Sequence, residues 1–407
     1  MGEAKQFILS RIAAISECET VLVRAALGRV LGADAIAPFN VPGHDNSAMD
    51  GFACRFADLN ENDKTTLKIV GKSFAGGVPH DIIAPGQCVQ IMTGAQLPRG
   101  ADVIVPKEET RLLPPFVEIT PAKRRVGTHR RFAGEDLKTG QVAVPVGTLC
   151  RPAQIGLLAS LGMAHVVVYR RLRAAFFSTG DELRSLDKAA TDKEPLAVGQ
   201  IYDSNRHTLA GMIERMNFEG VDLGIVKDDK KALTAAVDEG RKADVIITSG
   251  GASVGEADYI RAVLSERGEA LFWKVAMRPG RPLAYGKVGE TDFFGLPGNP
   301  VSVMVCFYQF VCEALWKRAG RSGDCAVPVF PATASTALKK SPGRMEFQRG
   351  VLSRDDKGAW QVTPTGDQGS GILSSMSQAN CFIVLEEESG NVQAGEMVSV
   401  QPFEGLI

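Results

Sequence analysis

The chain has 407 residues, is 44% hydrophobic and 23% charged, and carries a formal net charge of -1. That length leads us to expect two to four globular domains at roughly 100–200 residues each, and the composition excludes disordered and fibrous classes. A near-neutral balance excludes any global attraction to nucleic acid or an anionic membrane, so a grip on an anion must come from a local cluster.

In chain order, residues 4–32 are expected to be helical, with Ile12, Ala13, Ile15 and Val21–Val23 supplying apolar spacing and Gly32 a stop. A break follows at 38–43. From 52 to 146 the pattern becomes short alternating runs (67–70, 88–92, 103–105, 117–119, 142–144) separated by Gly and Pro, which predicts a β-rich region without a long helix. Residues 149–160 turn helical again. From 172 onward strands alternate with helices. Strands are expected at 174–177, 221–226 and 244–247, with short ones at 283–285 and 293–294. Helices are expected after Asp203 or Ser204 and over 230–241, 256–266 and 300–319. Leu209, Met212, Ile213 and Met216 mark the buried face of the first of these helices. The alternation predicts a parallel sheet wrapped by helices. After about 322 strand patterns return (347–353, 360–364, 381–385, 397–401), which predicts a small β-barrel or sheet.

The eight cysteines include no CxxC pair and no zinc-ligand spacing with histidine, so buried reduced thiols are expected. Residues 7–15 form too short an apolar run, with Arg11 inside it, for a secretory signal. The most apolar window, 301–315, holds Gln309 and Glu313 and is too short to cross a bilayer. A cytoplasmic protein is the expectation. None of the five histidines sits in a motif with serine or cysteine, which argues against acyl transfer.

In an open parallel sheet, ligands bind in the crevice at the carboxyl ends of the strands. Four unusual segments fall there: 178–183 (STGDEL), 202–206 (YDSNR), 248–259 (TSGGASVGEADY) and 295–302 (GLPGNPVS). Thr248, Ser249, Gly250 and Gly251 offer hydroxyls and bare backbone N–H groups ahead of a helix N-terminus, a combination that suits an oxyanion. The run is neither the dinucleotide GxGxxG nor the GxxxxGK[ST] loop, so a plain turn fits it as well. Carboxylates recur at these loops: Asp136, Asp181, Glu182, Asp203, Asp228, Asp229, Glu256 and Asp258. Singly they read as helix caps; converging, they would suit Mg²⁺, which takes hard oxygen ligands. Lys274, Arg278 and Arg281 supply cations on a loop stiffened by Pro279 and Pro282.

These segments resemble the molybdopterin molybdenumtransferases, the MoeA-type molybdenum insertases and the homologous C-terminal domain of gephyrin. The resemblance runs nearly end to end through 42–53 (PGHDNSAMDGFA), 91–95 (IMTGA), 131–137 (RFAGEDL), 178–183, 201–206, 248–259, 272–282 (FWKVAMRPGRP), 295–302, 347–350 (FQRG) and 366–376 (GDQGSGILSSM). It implies an α/β and β multidomain fold. A linking part would take residues 1–45 and 137–170, a β-rich domain 46–136, a doubly wound parallel-sheet domain 171–320, and a C-terminal β-barrel 321–407. It implies an elongated homodimer whose cleft lies between the doubly wound part of one subunit and the β-rich part of the other. It implies insertion of molybdenum from molybdate into adenylylated molybdopterin, with Mg²⁺ and release of AMP, alongside molybdopterin adenylyltransferase and other molybdenum-cofactor enzymes. Carried over by position, Asp50, Asp136, Glu182, Asp228, Asp258, Lys274 and Arg278 would be catalytic. Thr93, Arg131, Ser249, Gly250, Gly251, Arg281, Pro297, Pro300, Arg349 and Ser370 would bind the substrates, and Glu182, Asp228 and Asp258 the metal. Departures are Arg278 and Arg281 where lysine is frequent, Gly371 in place of a histidine and Phe52 in place of a tyrosine. A gephyrin-like scaffold is one competing reading, but the acidic loop residues that a scaffold would have lost are present. The adenylyltransferase is the other, and it needs only one such domain.

Overall fold

The computed structural model describes residues 1–78, 82–186, 195–250 and 257–403, with backbone only for 257, 258, 270, 272 and 273. It forms two compact units. One comprises Met1–Ala33, Val146–Pro152 and His165–Ile407, the other Asp34–Pro145 and Ala153–Ala164.

The larger unit begins with helix α1 (Gly2–Arg11), which is far shorter than the helix expected over 4–32. Ile12 is already extended, and Cys18–Leu22 is a strand that pairs antiparallel with His165–Tyr169. The apolar spacing was real but not helical. Ile8, Ile12 and Ile15 are all buried in the same core. The Thr-Val-Leu-Val run found a β-branched partner strand, and that pairing outweighs local spacing.

In the smaller unit, six strands form one sheet: β1 (Gly51–Cys54), β2 (Thr65–Ser73), β3 (Gln87–Ile91), β4 (Val103–Pro106), β5 (Thr110–Leu113) and β6 (Phe116–Ile119). Their order is β4-β1-β3-β2-β6-β5, with only β2 and β3 parallel. Alternate residues feed two cores. Phe52, Cys54, Val103 and Val105 pack on one face, while Ala53, Val89, Ile91 and Ile104 pack on the other. A period of two with both faces buried is what a strand among apolar neighbours requires. Gly51 sits where a Cβ would stand 2.0 Å from the Val105 carbonyl oxygen, so only glycine fits this strand crossing. Helix α2 (Pro152–Ser160) follows.

The rest of the larger unit builds on a second six-stranded sheet: β7 (Arg173–Thr179), β8 (Glu219–Val226), β9 (Val245–Ser249), β10 (Glu269–Lys274), β11 (Pro282–Val288) and β12 (Thr291–Leu296). Their order is β8-β7-β9-β12-β11-β10. The first four run parallel, and β11 and β10 are antiparallel additions, which the all-parallel expectation did not include. Only Gly289 and Glu290 separate β11 from β12, and a parallel return needs a crossover of a dozen or more residues. Helices α3 (Ser204–Arg215), α4 (Lys230–Gly240), α5 (Ala257–Arg267), α6 (Pro300–Cys306) and α7 (Cys312–Arg318) wrap the sheet; a π-helical turn, Phe307–Val311, joins the last two. Residues alternate between two cores here as well: Ala174, Phe176, Val245, Ile247 and Phe294 in one, Ala175, Phe177, Ile246 and Phe293 in the other. The sheet is therefore doubly wound.

The C-terminal strands β13 (Phe330–Ala334), β14 (Met345–Arg354), β15 (Trp360–Pro364), β16 (Cys381–Leu385) and β17 (Met397–Pro402) close into a five-stranded barrel, because β14 pairs with both β15 and β16. Ala332, Val362, Cys381, Ile383 and Val400 fill it. Helix α8 (Leu373–Gln378) precedes β16. A short strand, Met277–Arg278, pairs with Met345 and Glu346 and ties the barrel to the loop after β10. No helix among the described residues is long and apolar enough to cross a membrane.

Candidate functional site

The order β8-β7-β9 reverses direction between β7 and β9, and the carboxyl ends of strands flanking such a switch point leave a crevice. Thr179 ends β7 and Ser249 ends β9. Both are buried, at 5% and 1% exposure.

Several interactions pin the crevice walls. The Ser178 hydroxyl donates to Asp203 Oδ1 at 2.9 Å. Asp203 also caps α3 by accepting the Arg206 backbone N–H, and its other oxygen accepts Arg206 Nε. Asn205 Nδ2 donates to Ser249 Oγ at 2.7 Å and to the Gly298 carbonyl at 2.6 Å, tying the SGG loop to the loop before α6. Gly250 has a φ of +90°, and a Cβ there would lie 2.6 Å from the Thr179 carbonyl oxygen. A side chain at 250 would be strained in its backbone and would collide with the end of β7. The open cavity between these walls is about 370 Å³ and is lined by Thr179, Glu182, Tyr202, Asn205, Ser249 and Pro300 among others.

Carboxylates gather beyond β7 and β8. Burial raises the Asp228 carboxyl above its ordinary value, and the nearby Asp181, Glu182 and Asp229 charges push it further the same way. Its Oδ1 is buried without a hydrogen-bond partner among the described residues. Asp229 is already committed, since it caps α4 through the Ala232 N–H at 2.9 Å. Among the described residues no three His, Cys, Asp or Glu side chains form a complete metal-holding group. The third expected ligand, Asp258, has its side chain outside the described residues, as does all of Gly251.

Next to this crevice, across Gly298 and Asn299, is a second cavity of about 450 Å³, lined by Arg278, Arg281, Arg344, Pro297, Ser370 and neighbours. The Val301 N–H donates to the Ser370 carbonyl at 3.2 Å, which fixes Ser370 beside the start of α6. An adjoining cavity of about 580 Å³ carries Arg278, Glu346 and Arg349. Arg278 makes a 3.4 Å ion pair with Glu346. Arg281 and Arg344 have no carboxylate partner among the described residues. Arg349 is 1% exposed. It donates to Ser375 Oγ and to the Gly369 carbonyl, each at 3.0 Å, and its backbone N–H is held by Gln368 Oε1 at 2.7 Å. Burial lowers its pKa to about 10, with Asp367 opposing and Arg278 adding to the shift.

The structure thus brings Glu182, Ser249, Gly250 and Pro300 to one crevice, with Asp228 within electrostatic reach of Glu182. It brings Arg278, Arg281, Arg349, Pro297 and Ser370 to the adjoining arginine-lined space. Lys274 ends β10, exposed, and lines neither cavity. In the other unit, Asp50 accepts the Thr93 backbone N–H at 2.9 Å and its hydroxyl at 2.8 Å, which holds the carboxyl below its ordinary value. Arg131 lies on a two-residue strand beside Asn46, and the Asp136 backbone N–H donates to Val41. No side-chain bond joins Arg131 or Asp136 to the Asp50–Thr93 pair among the described residues. Reasoning from sequence missed Thr179, Asn205 and Arg344 as site residues. Asn205 stood inside YDSNR, a segment already marked, but asparagine after a cap reads as part of the cap. Thr179 likewise stood inside the marked segment STGDEL, after a strand expected to end at 177; the structure extends that strand to Thr179.

Comparison with known proteins places these features in a family. Residues 1–162 match the model described as MoeA N-terminal region (domain I and II), 175–317 a probable molybdopterin binding domain, and 331–403 the MoeA C-terminal region (domain IV). The chain is 41% identical to the molybdopterin molybdenumtransferase of Haemophilus influenzae over 100% of its own length and 99% of the relative's. It is 35% identical to the enzyme of that name from Nostoc, over 94% of this chain and 88% of that one. A crystal structure of the molybdopterin biosynthesis moeA protein from Pyrococcus horikoshii superposes with a TM-score of 0.82 at 27% identity, covering 99% of each chain. The chain belongs to the molybdopterin molybdenumtransferase (MoeA) family.

Proposed function

We propose that this chain inserts molybdenum from molybdate into adenylylated molybdopterin, with hydrolysis of the adenylate and release of AMP. The observation that carries the reading is the pairing of an uncompensated carboxylate cluster with an arginine-lined cavity at one strand-end switch point. The orphaned Asp228 Oδ1 and the like charges around it are what a hard cation relieves. Asp228 and Glu182 would hold Mg²⁺, with Asp258 as third ligand. There the ion would neutralise charge on the phosphates of the substrate. Ser249 faces the phosphoanhydride; the Gly250 N–H, expected to be bare, is already committed to the Leu296 carbonyl at 3.2 Å. Arg278 and Arg281, with Ser370 and the buried Arg349, hold molybdate, an oxyanion suited to fixed guanidinium donors. Lys274 adds charge at the rim. Pro297 and Pro300 shape the loop.

The four-part division at 45/46, 136/137, 170/171 and 320/321 and the homodimer belong to the same proposal. In that dimer Asp50, Thr93, Arg131 and Asp136 come from the second subunit. The substrate implies a preceding adenylylation step by another enzyme of the pathway.

The decisive assay measures AMP release from adenylylated molybdopterin. Release that needs both molybdate and Mg²⁺ is expected; release indifferent to both sinks the reading. Mixing Asp50→Ala chains with Asp228→Asn chains tests the shared site. Random re-pairing in a symmetric dimer restores about a quarter of the sites, and no recovery on mixing removes the dimer from the proposal.

A further inference from the structure

A further cavity, of about 490 Å³, lies wholly within the larger unit. It shares no lining residue with the strand-end crevice or with the two cavities that carry Arg278. Its walls come from remote parts of the chain: the turn at 27–28, residues 149–152, the end of α3, the helical run from 307 to 316, the loop around 325 and the end of β17. Apolar side chains dominate it. Met212 and Met216 contribute thioethers, and Tyr308, Trp316, Phe382 and Phe403 contribute rings. The Tyr308 and Phe403 rings are parallel with centroids 5.9 Å apart, and Phe382 meets Phe403 edge-on at 4.7 Å. Tyr308 belongs to the π-helical turn between α6 and α7, a distortion that frequently marks functional sites.

Charge on this lining has one sign. Arg151, Arg215 and Arg321 line the cavity, and no Asp or Glu does. Arg215 donates to the Phe403 carbonyl at 3.0 Å, which keeps its charge beside the rings. Arg321 is oriented by Trp316, with its guanidinium 5.3 Å from the ring centroid. Among the described residues Arg321 has no carboxylate partner, and the Tyr308 hydroxyl has no hydrogen-bond partner. Rings, adaptable thioethers and an oriented guanidinium complement a molecule that is flat and apolar over most of its surface and anionic at one end. The volume falls in the range of about 300–1,000 Å³ that small-molecule sites occupy, and such sites combine apolar walls with a few polar groups.

We propose that this cavity is a second ligand site, separate from the molybdenum site, and that it takes a planar aromatic anion such as an aryl carboxylate or sulfonate. The apolar body packs against Tyr308, Phe403 and the two methionines, and the anionic group pairs with Arg321. The inference does not depend on the insertion chemistry proposed above.

The test uses the full chain and two fluorescent probes of matched ring size: anilinonaphthalenesulfonate, an anion, and phenylnaphthylamine, its neutral counterpart. Wild type should bind the sulfonate saturably, at one probe per chain. Arg321→Gln should weaken the sulfonate about tenfold, the loss expected for a charge-assisted bond, and keep the neutral probe within about twofold of wild type. Arg321→Lys should regain part of the sulfonate affinity. Thiol labelling locates the probe. Cys325 lines the cavity and is half-buried, whereas Cys18 is exposed and outside it. Saturating sulfonate should slow alkylation of Cys325 by iodoacetamide severalfold and leave Cys18 unchanged. This readout needs no variant, so it judges the site even if Arg321→Gln unfolds. Excess molybdate should not displace the sulfonate. The assignment is overturned by no saturable sulfonate binding to wild type, by unchanged affinity in Arg321→Gln, by equal loss of both probes in that variant, or by an unprotected Cys325. Displacement by molybdate would put the probe in the arginine-lined cavity beside α6 and overturn it as well.

Discussion

The strand-end crevice and the arginine-lined cavity beside it handle charge in opposite ways. Around Asp228 every charge that shifts its titration has the same sign, and its buried oxygen has no donor among the described residues. Around Arg349 the chain supplies its own compensation: carbonyls, a hydroxyl and the field of Asp367. Arg278 likewise has Glu346, while Arg281 and Arg344 have no such partner among the described residues. Unpaired charge of one sign is costly within a fold. Where it persists beside a cavity, a ligand of the opposite sign is the natural complement. On that logic the acid side awaits a cation, and of the arginines Arg281 and Arg344 are the ones most open to an oxyanion.

The contrast can be broken most severely at Asp228. Asp228→Asn should cut AMP release by about two orders of magnitude, the scale seen when one preorganised electrostatic group is lost. Without metal the same variant should melt higher than wild type, by about 2 °C, since it removes like-charge repulsion. A metal-free variant that melts well below wild type would show the carboxylate to be structural. Next in size, Arg281→Ala should weaken molybdate binding by roughly 10-fold or more, the loss expected for a charge-assisted bond. Equal effects from Arg281→Ala and Arg278→Ala would dissolve the distinction between a free and a compensated guanidinium.

A pH series sharpens the acid side. A carboxyl whose folded value is raised stabilises the fold below its ordinary value of 3.8 and loses that contribution as pH rises through the folded value. Metal-free protein should therefore carry this destabilisation at neutral pH, and Mg²⁺ should raise the melting temperature there. The gain should fade on acidification at a pH above 3.8. Asp50 has the opposite sign: its lowered value gives stability above 3.8 that is lost as pH falls through it. A Mg²⁺ gain that persists below 3.8 would exclude Asp228 as a ligand. The smallest effect is expected from Glu346→Gln. Freeing the largely exposed Arg278 should tighten molybdate binding by about two- to threefold, the scale of a surface ion pair.

Much of the site was legible before any fold was known. Val245, Ile246 and Ile247 followed by SGG announced a buried strand ending in a bare-backbone loop, and Asp203 and Asp229 announced the caps of α3 and α4. These signals are local: glycine's freedom and a carboxylate's reach to an N–H two or three residues on belong to the segment itself. Asn205 was not legible. Its function depends on Ser249 and Gly298, which lie 44 and 93 residues away. The strand Cys18–Leu22 was misread for the same reason, because its partner His165–Tyr169 is remote.

The sequence by itself determined the two faces of each sheet, the caps, the loop chemistry and the family's order of motifs, since each follows from spacing within a few residues. Only the tertiary structure decided that β10 and β11 run antiparallel and that β14 closes the barrel. It also decided which polar groups remain without partners beside the crevice. Hydrogen-bond completion is a property of the whole packed chain. An unsatisfied oxygen such as Asp228 Oδ1 becomes visible only after every other donor and acceptor has found its place.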